Sequence, residues 1–173
     1  SGEAPLAPGV TNFLHCEEGC WAVEQLLAGR RFGFIGGGDH RGLALAGLYV
    51  RELTRSGLLE AFRARRCFAT TGLPLRLELT CNGAAMGQAV AAEEARFQLA
   101  VDAPEPLREV HVLRDGQTVE TVRCEGTACR HAWSARRRRD GEFWYCRVLA
   151  ASGEMAWTSP IWLDAPGTGR AAT

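Results

Sequence analysis

Leu75-Arg76-Leu77-Glu78-Leu79-Thr80 alternates strictly between apolar and polar residues, and Asn82-Gly83 follows it closely. Such alternation predicts a β-strand with one buried face, because successive side chains of a strand point to opposite sides. Asn-Gly between strands is the strongest short sequence signal for a hairpin turn. The stretch therefore predicts the start of an antiparallel β-structure.

Short strand-like segments continue from this hairpin to the end of the chain at roughly ten-residue spacing, with turn residues between them. They are Ala95–Val101, Val110–Arg114, Thr118–Val122, Ala132–Ala135, Glu142–Ala150 and Ala156–Leu163. This spacing is typical of an antiparallel β-sandwich. We expect residues 75–164 to form a small β-sandwich domain and residues 165–173 to be a disordered tail.

Residues 1–74 have a different pattern, in which helical and strand-like segments alternate. Apolar residues at helical spacing predict a helix over Glu17–Gly29, and Thr54 is a suitable N-cap for a second helix that ends near Arg66. Apolar runs predict strands at Phe32–Ile35, Leu43–Val50 and Cys67–Gly72. This alternation is typical of α/β proteins, whose active sites lie beyond the carboxyl ends of the strands.

Two or three strands cannot form a covered parallel sheet by themselves. We therefore expect residues 1–74 to be the C-terminal part of an α/β domain whose earlier strands precede residue 1. The predicted fold class is α+β, with an α/β part and an all-β part that meet near residue 74.

Composition limits the partners that this chain can have. The net charge of the 173 residues is zero, which argues against binding of nucleic acid. The tract Arg136–Arg139 is followed by Asp140 and Gly141, and we interpret it as a solvated hairpin loop. No apolar run approaches the roughly 20 residues of a membrane-spanning helix, so we expect a soluble protein without a membrane partner. Seven cysteines, an odd number, do not assign a compartment.

The candidate for chemistry is the run Phe32-Gly33-Phe34-Ile35-Gly36-Gly37-Gly38-Asp39-His40-Arg41-Gly42. Glycines allow the backbone to turn sharply and to approach other groups closely. Aspartate and histidine are ligands that Zn, Mn and Fe sites share. A glycine turn that presents Asp39 and His40 is therefore a candidate metal site. The alternative is a loop aspartate that caps a turn beside a surface histidine.

Four segments of the chain together resemble a known family. They are Gly29–Gly36 with the Gly-Asp-His that follows, Ala61–Gly72, Asn82–Gly87 and Trp157–Trp162. In this order they resemble the PHP (polymerase and histidinol phosphatase) superfamily of metallohydrolases, and within it the carbaryl-hydrolase-like CehA/McbA branch. The matching segments extend over about residues 16–164, which is nearly the whole chain.

The resemblance implies a distorted (β/α)7 PHP-type barrel that holds divalent metal ions (Zn, Mn or Fe) and is followed by a small antiparallel β-sandwich. It implies a small-molecule substrate with a phosphoester, ester, amide or carbamate bond, cleaved by a metal-activated water. Asp39 and His40 would be metal ligands, and Arg41 would contact an anionic group of the substrate. The remaining ligands would belong to the missing N-terminal part of the barrel, so this chain alone would be inactive.

The sequence departs from the family at its metal motif, which is Asp-x-His. Asp39 and His40 are adjacent here. If His40 takes the histidine position, Gly38 falls on the aspartate position; if Asp39 keeps its position, Arg41 replaces the histidine. A rival interpretation is a non-catalytic β-sandwich that binds a partner or a carbohydrate and retains a degenerate α/β remnant.

Overall fold

The computed structural model describes residues 2–3, 19–38 and 42–167. These residues contain two helices, α1 (Ala22–Leu27) and α2 (Arg55–Arg63). They also contain twelve strands: β1 (Leu45–Leu48), β2 (Cys67–Thr70), β3 (Arg76–Cys81), β4 (Ala84–Ala85), β5 (Ala89–Ala91), β6 (Glu94–Asp102), β7 (Leu107–Arg114), β8 (Gln117–Arg123), β9 (Ala128–Arg136), β10 (Glu142–Ala150), β11 (Met155–Thr158) and β12 (Ile161–Asp164).

The strands form two sheets. Sheet A has eight strands. Six of them follow the order β1-β2-β11-β10-β12-β5. The seventh, β7, pairs with the other edge of β10, and the eighth, β8, pairs with β7. Sheet B has four strands in the order β4-β3-β6-β9. Every pair is antiparallel except β5 with β12. The chain therefore folds almost entirely as antiparallel β-structure.

The main core lies between the two sheets. Leu77 and Leu79 of β3 and Phe97 of β6 are almost completely buried, whereas the residues between them face solvent. Leu79 lies directly opposite Leu99 in the β3–β6 pair. Phe97 stacks on Trp133 of β9 at a centroid distance of 4.9 Å. The apolar alternation in the sequence thus sets which face of sheet B is buried.

β10 is buried on both faces. Trp144, Cys146 and Val148 face the core between the sheets, and Phe143 and Tyr145 face the opposite side of sheet A. A second apolar cluster therefore covers the outer face of sheet A, and α1 and the segment after it contribute to this cluster. Its buried members are Leu26, Phe34, Ala69, Leu113, Phe143, Tyr145, Trp157 and Trp162.

The predicted α+β class and the PHP-type barrel fragment are wrong. Phe32–Ile35 forms no strand; it lies across the outer face of sheet A, where Phe34 packs on Tyr145. The two strands that remain before residue 74, β1 and β2, pair antiparallel, with Leu45 opposite Thr70. A barrel needs parallel strands joined by helical crossovers, and the described residues before position 74 supply none.

Other expectations before residue 75 have mixed outcomes. Thr54 is confirmed as the N-cap of α2, because its hydroxyl accepts the Gly57 N–H at 3.1 Å. The helix is mostly exposed, and of its residues only Ala61 is buried. The boundary near residue 74 stays a prediction; β2, which precedes it, pairs with β11 in sheet A.

Two predictions concern the last third of the chain. The tract Arg136–Arg139 does not close a hairpin, because β9 and β10 belong to different sheets; it connects the two sheets instead. Of the predicted tail, residues 168–173 lie outside the described residues. Neither described helix is long and apolar enough to cross a membrane.

A buried ion pair lies at the start of β10. Glu142 is completely buried, and its carboxylate accepts hydrogen bonds from the Arg114 guanidinium, from Trp144 Nε1 at 2.9 Å and from the Arg138 N–H at 2.8 Å. Burial opposes ionisation of Glu142, but these hydrogen bonds and the charge of Arg114 outweigh it, so the pKa of the carboxyl lies below its ordinary value.

Because the pKa of Glu142 is lower in the folded chain, its stabilising contribution is complete above the unfolded value near 4.5 and is lost as pH falls through the folded pKa. We expect Glu142→Gln to lower the free energy of unfolding at pH 7 by about 1–3 kcal/mol. The variant should also lose less stability than the unsubstituted chain between pH 5 and pH 3. Urea denaturation across this range measures both effects. Glu125→Gln, at an exposed position, is the control, and equal curves for the two variants would contradict the assignment.

Candidate functional site

The glycine segment, Phe32–Gly38, runs over the outer face of sheet A toward one end of β2. Its central contact is the Ser159 hydroxyl, which accepts the Phe34 N–H at 2.8 Å and donates to the Cys67 carbonyl at 2.6 Å. One buried side chain thus joins the segment to β2 and to the end of β11. The Phe34 ring meets Tyr145 edge to face at a centroid distance of 5.4 Å.

Two glycines of this segment lie too close to sheet A for any side chain. A Cβ atom at Gly33 would lie 2.6 Å from Cys67 Sγ and 2.9 Å from Ser159 Oγ. One at Gly36 would collide with the carbonyl oxygens of Leu45 and Thr70, which are backbone atoms that cannot rotate away. Gly37, by contrast, has open space around the corresponding position. Gly33 and Gly36 are therefore required by close approach of the backbone.

Residues from four separated segments meet at one place on this face, which we call the motif junction: Gly33, Arg65, Gly87, Ser159 and Trp162. The Arg65 guanidinium lies over the Trp162 ring at 5.6 Å, and its Nε donates to the Gly87 carbonyl at 2.8 Å. The Gly87 N–H donates to Pro160 at 2.9 Å. The segments on which the family resemblance depends are thus in mutual contact.

The glycine segment ends at Gly38, next to the ends of two strands. The Gly42 N–H donates to the Gly38 carbonyl at 2.5 Å, so the described residues on the two sides of positions 39–41 are joined directly. Gly36 lies against Leu45 and Thr70, which are the first residue of β1 and the last of β2. Gly36, Gly38 and Gly42 therefore lie close together at this end of sheet A.

The three predicted site residues, Asp39, His40 and Arg41, lie outside the described residues. Thr70 and Thr71 have structural roles at the turn after β2. Thr70 Oγ1 accepts the Gly72 N–H at 3.1 Å, and Thr71 Oγ1 accepts the Met155 N–H at 2.9 Å. Asp39, His40 and Arg41 remain predictions.

The described residues at the motif junction do not form a metal-ion site. Within residues 2–3, 19–38 and 42–167, no three His, Cys, Asp or Glu side chains are grouped so that they could hold a metal ion. Burial raises the pKa of the Cys67 thiol, so Cys67 is protonated at neutral pH and is a poor nucleophile. The Ser159 hydroxyl is occupied by its two backbone partners. A site here needs ligands from elsewhere.

The sequence interpretation missed one polar group on this face. Glu3 is buried and accepts hydrogen bonds from three side chains of sheet A. It lies in a Pro/Gly-rich stretch with no periodicity, so no local pattern could reveal it. Only the position of the chain against sheet A brings it to its partners.

Comparison with known proteins identifies relatives in one bacterial genus. The chain is 28% identical to an uncharacterized protein of Chlamydia pneumoniae over 176 aligned residues, which cover 82% of this chain and 28% of the relative. Uncharacterized proteins of Chlamydia muridarum and Chlamydia trachomatis are 26% and 25% identical with the same coverage. The chain therefore spans less than a third of the length of these relatives. No family model and no solved structure matches it.

Because Gly36 touches two backbone carbonyls, we expect Gly36→Ala to displace the glycine segment and to lower the free energy of unfolding by about 1–3 kcal/mol. Gly37→Ala, one residue further along, is the matched control and should change it by no more than about 0.5 kcal/mol. Urea denaturation of both variants measures the difference. Similar losses of unfolding free energy in the two variants would show that close approach of the backbone to sheet A does not determine the path of this segment.

Proposed function

We propose that this chain is a β-rich part of a longer metal-dependent hydrolase and that it contributes Asp39 and His40 to the metal centre of that enzyme. The substrate would be a small molecule with a phosphoester, ester, amide or carbamate bond. In this proposal the other metal ligands come from a part of the protein outside these 173 residues.

The observation that carries the proposal is the attachment of the glycine segment. Ser159 anchors Phe34, and close contacts at Gly33 and Gly36 leave a single path along the sheet. Gly38 and Gly42 are then held together at the end of β1 and β2. A catalytic residue needs a fixed position relative to its substrate, and loops on a rigid sheet commonly provide it.

The motif junction adds a second argument. The segments that resemble the PHP metallohydrolases are far apart in the sequence, yet Arg65, Gly87 and Trp162 contact one another beside the glycine segment. A chance set of matches has no reason to converge in this way. The convergence supports a common structural role, which is to hold the segment that leads to Asp39.

The length of the relatives leaves room for the rest of such a centre, since the chain spans 28% of the Chlamydia pneumoniae protein. When bound, the metal ions would supply a water of lowered pKa and a positive charge that polarises the scissile group. The contribution of this chain would be two ligand side chains and the Arg41 guanidinium, which suits an anionic substrate group.

A second candidate function is a non-catalytic binding module, and the outer face of sheet B favours it. Glu78, Thr80, Gln98 and Arg130 contribute the polar groups to an open depression of about 380 Å³ on this face, which Leu99, Ala100 and Ala132 also line. Arg130 is held there by Asp102 at 2.7 Å. A depression with mixed polar and apolar lining suits contact with a binding partner, and it requires no metal ion.

We expect the protein expressed from its complete gene to contain tightly bound Zn, Mn or Fe. Asp39→Ala and His40→Ala should each lower the metal content by at least about tenfold, because loss of a ligand weakens the site by more than the outer-shell changes that already cost 10–100-fold. Elemental analysis by plasma mass spectrometry after dialysis measures it. The control is Asp102→Ala, which removes a surface carboxylate on sheet B.

If the protein from the complete gene folds but contains no bound metal, this result would contradict the hydrolase proposal and favour the binding-module proposal. Unchanged metal content in both Asp39→Ala and His40→Ala would show that these residues are not ligands.

We expect the 173-residue chain alone to hydrolyse neither bis-p-nitrophenyl phosphate nor p-nitrophenyl acetate above the rate of buffer with the same metal ions. The reason is that two ligands cannot complete a catalytic site, which needs three protein ligands and an open position. Release of p-nitrophenolate measures the rate. Turnover of at least about 1 per second, which is ordinary for an enzyme, would show that the chain holds a whole active site.

A further inference from the structure

The carboxylate of Glu3 occupies a pocket on the outer face of sheet A. Tyr145 donates its hydroxyl to Glu3 Oε1 at 2.6 Å. Trp157 Nε1 and Arg147 Nη1 donate to Glu3 Oε2 at 2.8 and 2.9 Å. Three different kinds of donor, from two adjacent strands, therefore converge on both oxygens of one carboxylate.

The pocket is built independently of Glu3. Arg147 is oriented from behind by His111, whose Nδ1 lies 2.8 Å from Nη2 of the guanidinium. His111 Nε2 lies in turn 3.1 Å from a carboxylate oxygen of Glu109. Tyr145 and Trp157 are fixed in the apolar cluster of the outer face. The donors are thus held in place by sheet A itself.

The chemistry of the donors selects an anion with two acceptor oxygens. A guanidinium, an indole N–H and a phenol all present hydrogens, and none of the three is a strong acceptor. Burial raises the pKa of Tyr145, and the nearby charge of Glu3 raises it further, so the phenol is a donor at every ordinary pH. A neutral ligand would leave the partly buried charge of Arg147 uncompensated.

Glu3 enters this pocket from outside the sheets. The carbonyls of Gly2 and Glu3 accept the N–H groups of Ala22 and Val23 at 2.8 and 3.0 Å, which are the first two residues of α1. Residues 2–3 therefore belong to neither sheet, and they contact sheet A through one side chain. Their position makes Glu3 a ligand of the sheet rather than a member of it.

We propose that Tyr145, Arg147 and Trp157 form a carboxylate-binding pocket, that Glu3 is its internal ligand, and that the pocket takes a free small carboxylate when the Glu3 carboxylate is removed. This site lies outside the proposed metal centre and does not depend on the hydrolase. Its ligand class is an alkyl carboxylate, recognised by one charged and two neutral donors.

The test uses the full chain with Glu3→Ala, which removes a group the size of acetate. We expect the variant to melt about 5–10 °C lower, because two buried donors and the partly buried Arg147 guanidinium lose their acceptor. Sodium acetate should raise the melting temperature again, with a gain that grows with the logarithm of its concentration above a dissociation constant of roughly 10–100 mM and reaches about half of the loss near about 1 M. Sodium chloride at equal ionic strength and acetamide, the neutral isostere, should have no such effect.

Two variants and one spectrum complete the experiment. Glu3→Ala combined with Arg147→Met should not respond to acetate. In the ¹⁵N-labelled Glu3→Ala chain, the indole N–H resonance of Trp157 should move with acetate toward its position in the unsubstituted chain. If Glu3→Ala does not fold, Glu3→Gln should shift this same resonance more than those of the other tryptophans. Absence of an acetate response in folded Glu3→Ala, or an unshifted resonance in Glu3→Gln, would overturn the proposal.

Discussion

Burial of β10 on both faces is the constraint on which the rest of this structure depends. Trp144 and Cys146 belong to the core between the sheets, and Phe143 and Tyr145 face the other way. Exposed aromatic surface of this size is unfavourable in water, so the outer face of sheet A has to be covered. The chain covers it with α1, the glycine segment and residues 2–3 rather than with a further sheet.

That cover determines the geometry of the candidate site. A segment packed flat on a sheet has its backbone within van der Waals distance of the strands below, and only glycine permits this at Gly33 and Gly36. The Ser159 hydroxyl satisfies the buried Phe34 N–H and replaces the ladder hydrogen bond that a strand would provide. Packing on the outer face thus delivers Gly38 and Gly42 to one end of β2.

The part of the fold that follows Leu75 could be predicted well from local pattern. The segment Ala95–Val101 is confirmed within β6, and the alternation of Leu77 and Leu79 is confirmed as the buried face of β3. Phe32–Ile35 could not be predicted in the same way. A short apolar run has the same composition whether it lies within a sheet or across one, because both positions bury it. The α/β part depends on that assignment and the PHP-type barrel on the family resemblance, and both are wrong because the described strands of this part pair antiparallel within sheet A.

Local sequence identifies some residues of the candidate site, and only distant contacts identify the others. Asp39 and His40 were chosen for their chemistry and their glycine context, which are local properties, and they remain predictions. The roles of Arg65, Gly87 and Glu3 depend on partners far away in the chain. Glu3 is more than 140 residues from Tyr145, and no periodicity links the two.

Apart from Ala156–Leu163, which forms two strands (β11 and β12) and not one, the sequence by itself determined the longer strands after residue 75, the buried face of β3 and the N-cap of α2. Each of these depends on neighbours within a few positions, where side-chain period and capping chemistry act. Tertiary structure alone decided that β1 and β2 join sheet A, that the glycine segment is a cover and not a strand, and that Glu3 is a buried ligand. These outcomes follow from which surfaces must be removed from water, and that depends on the whole folded chain.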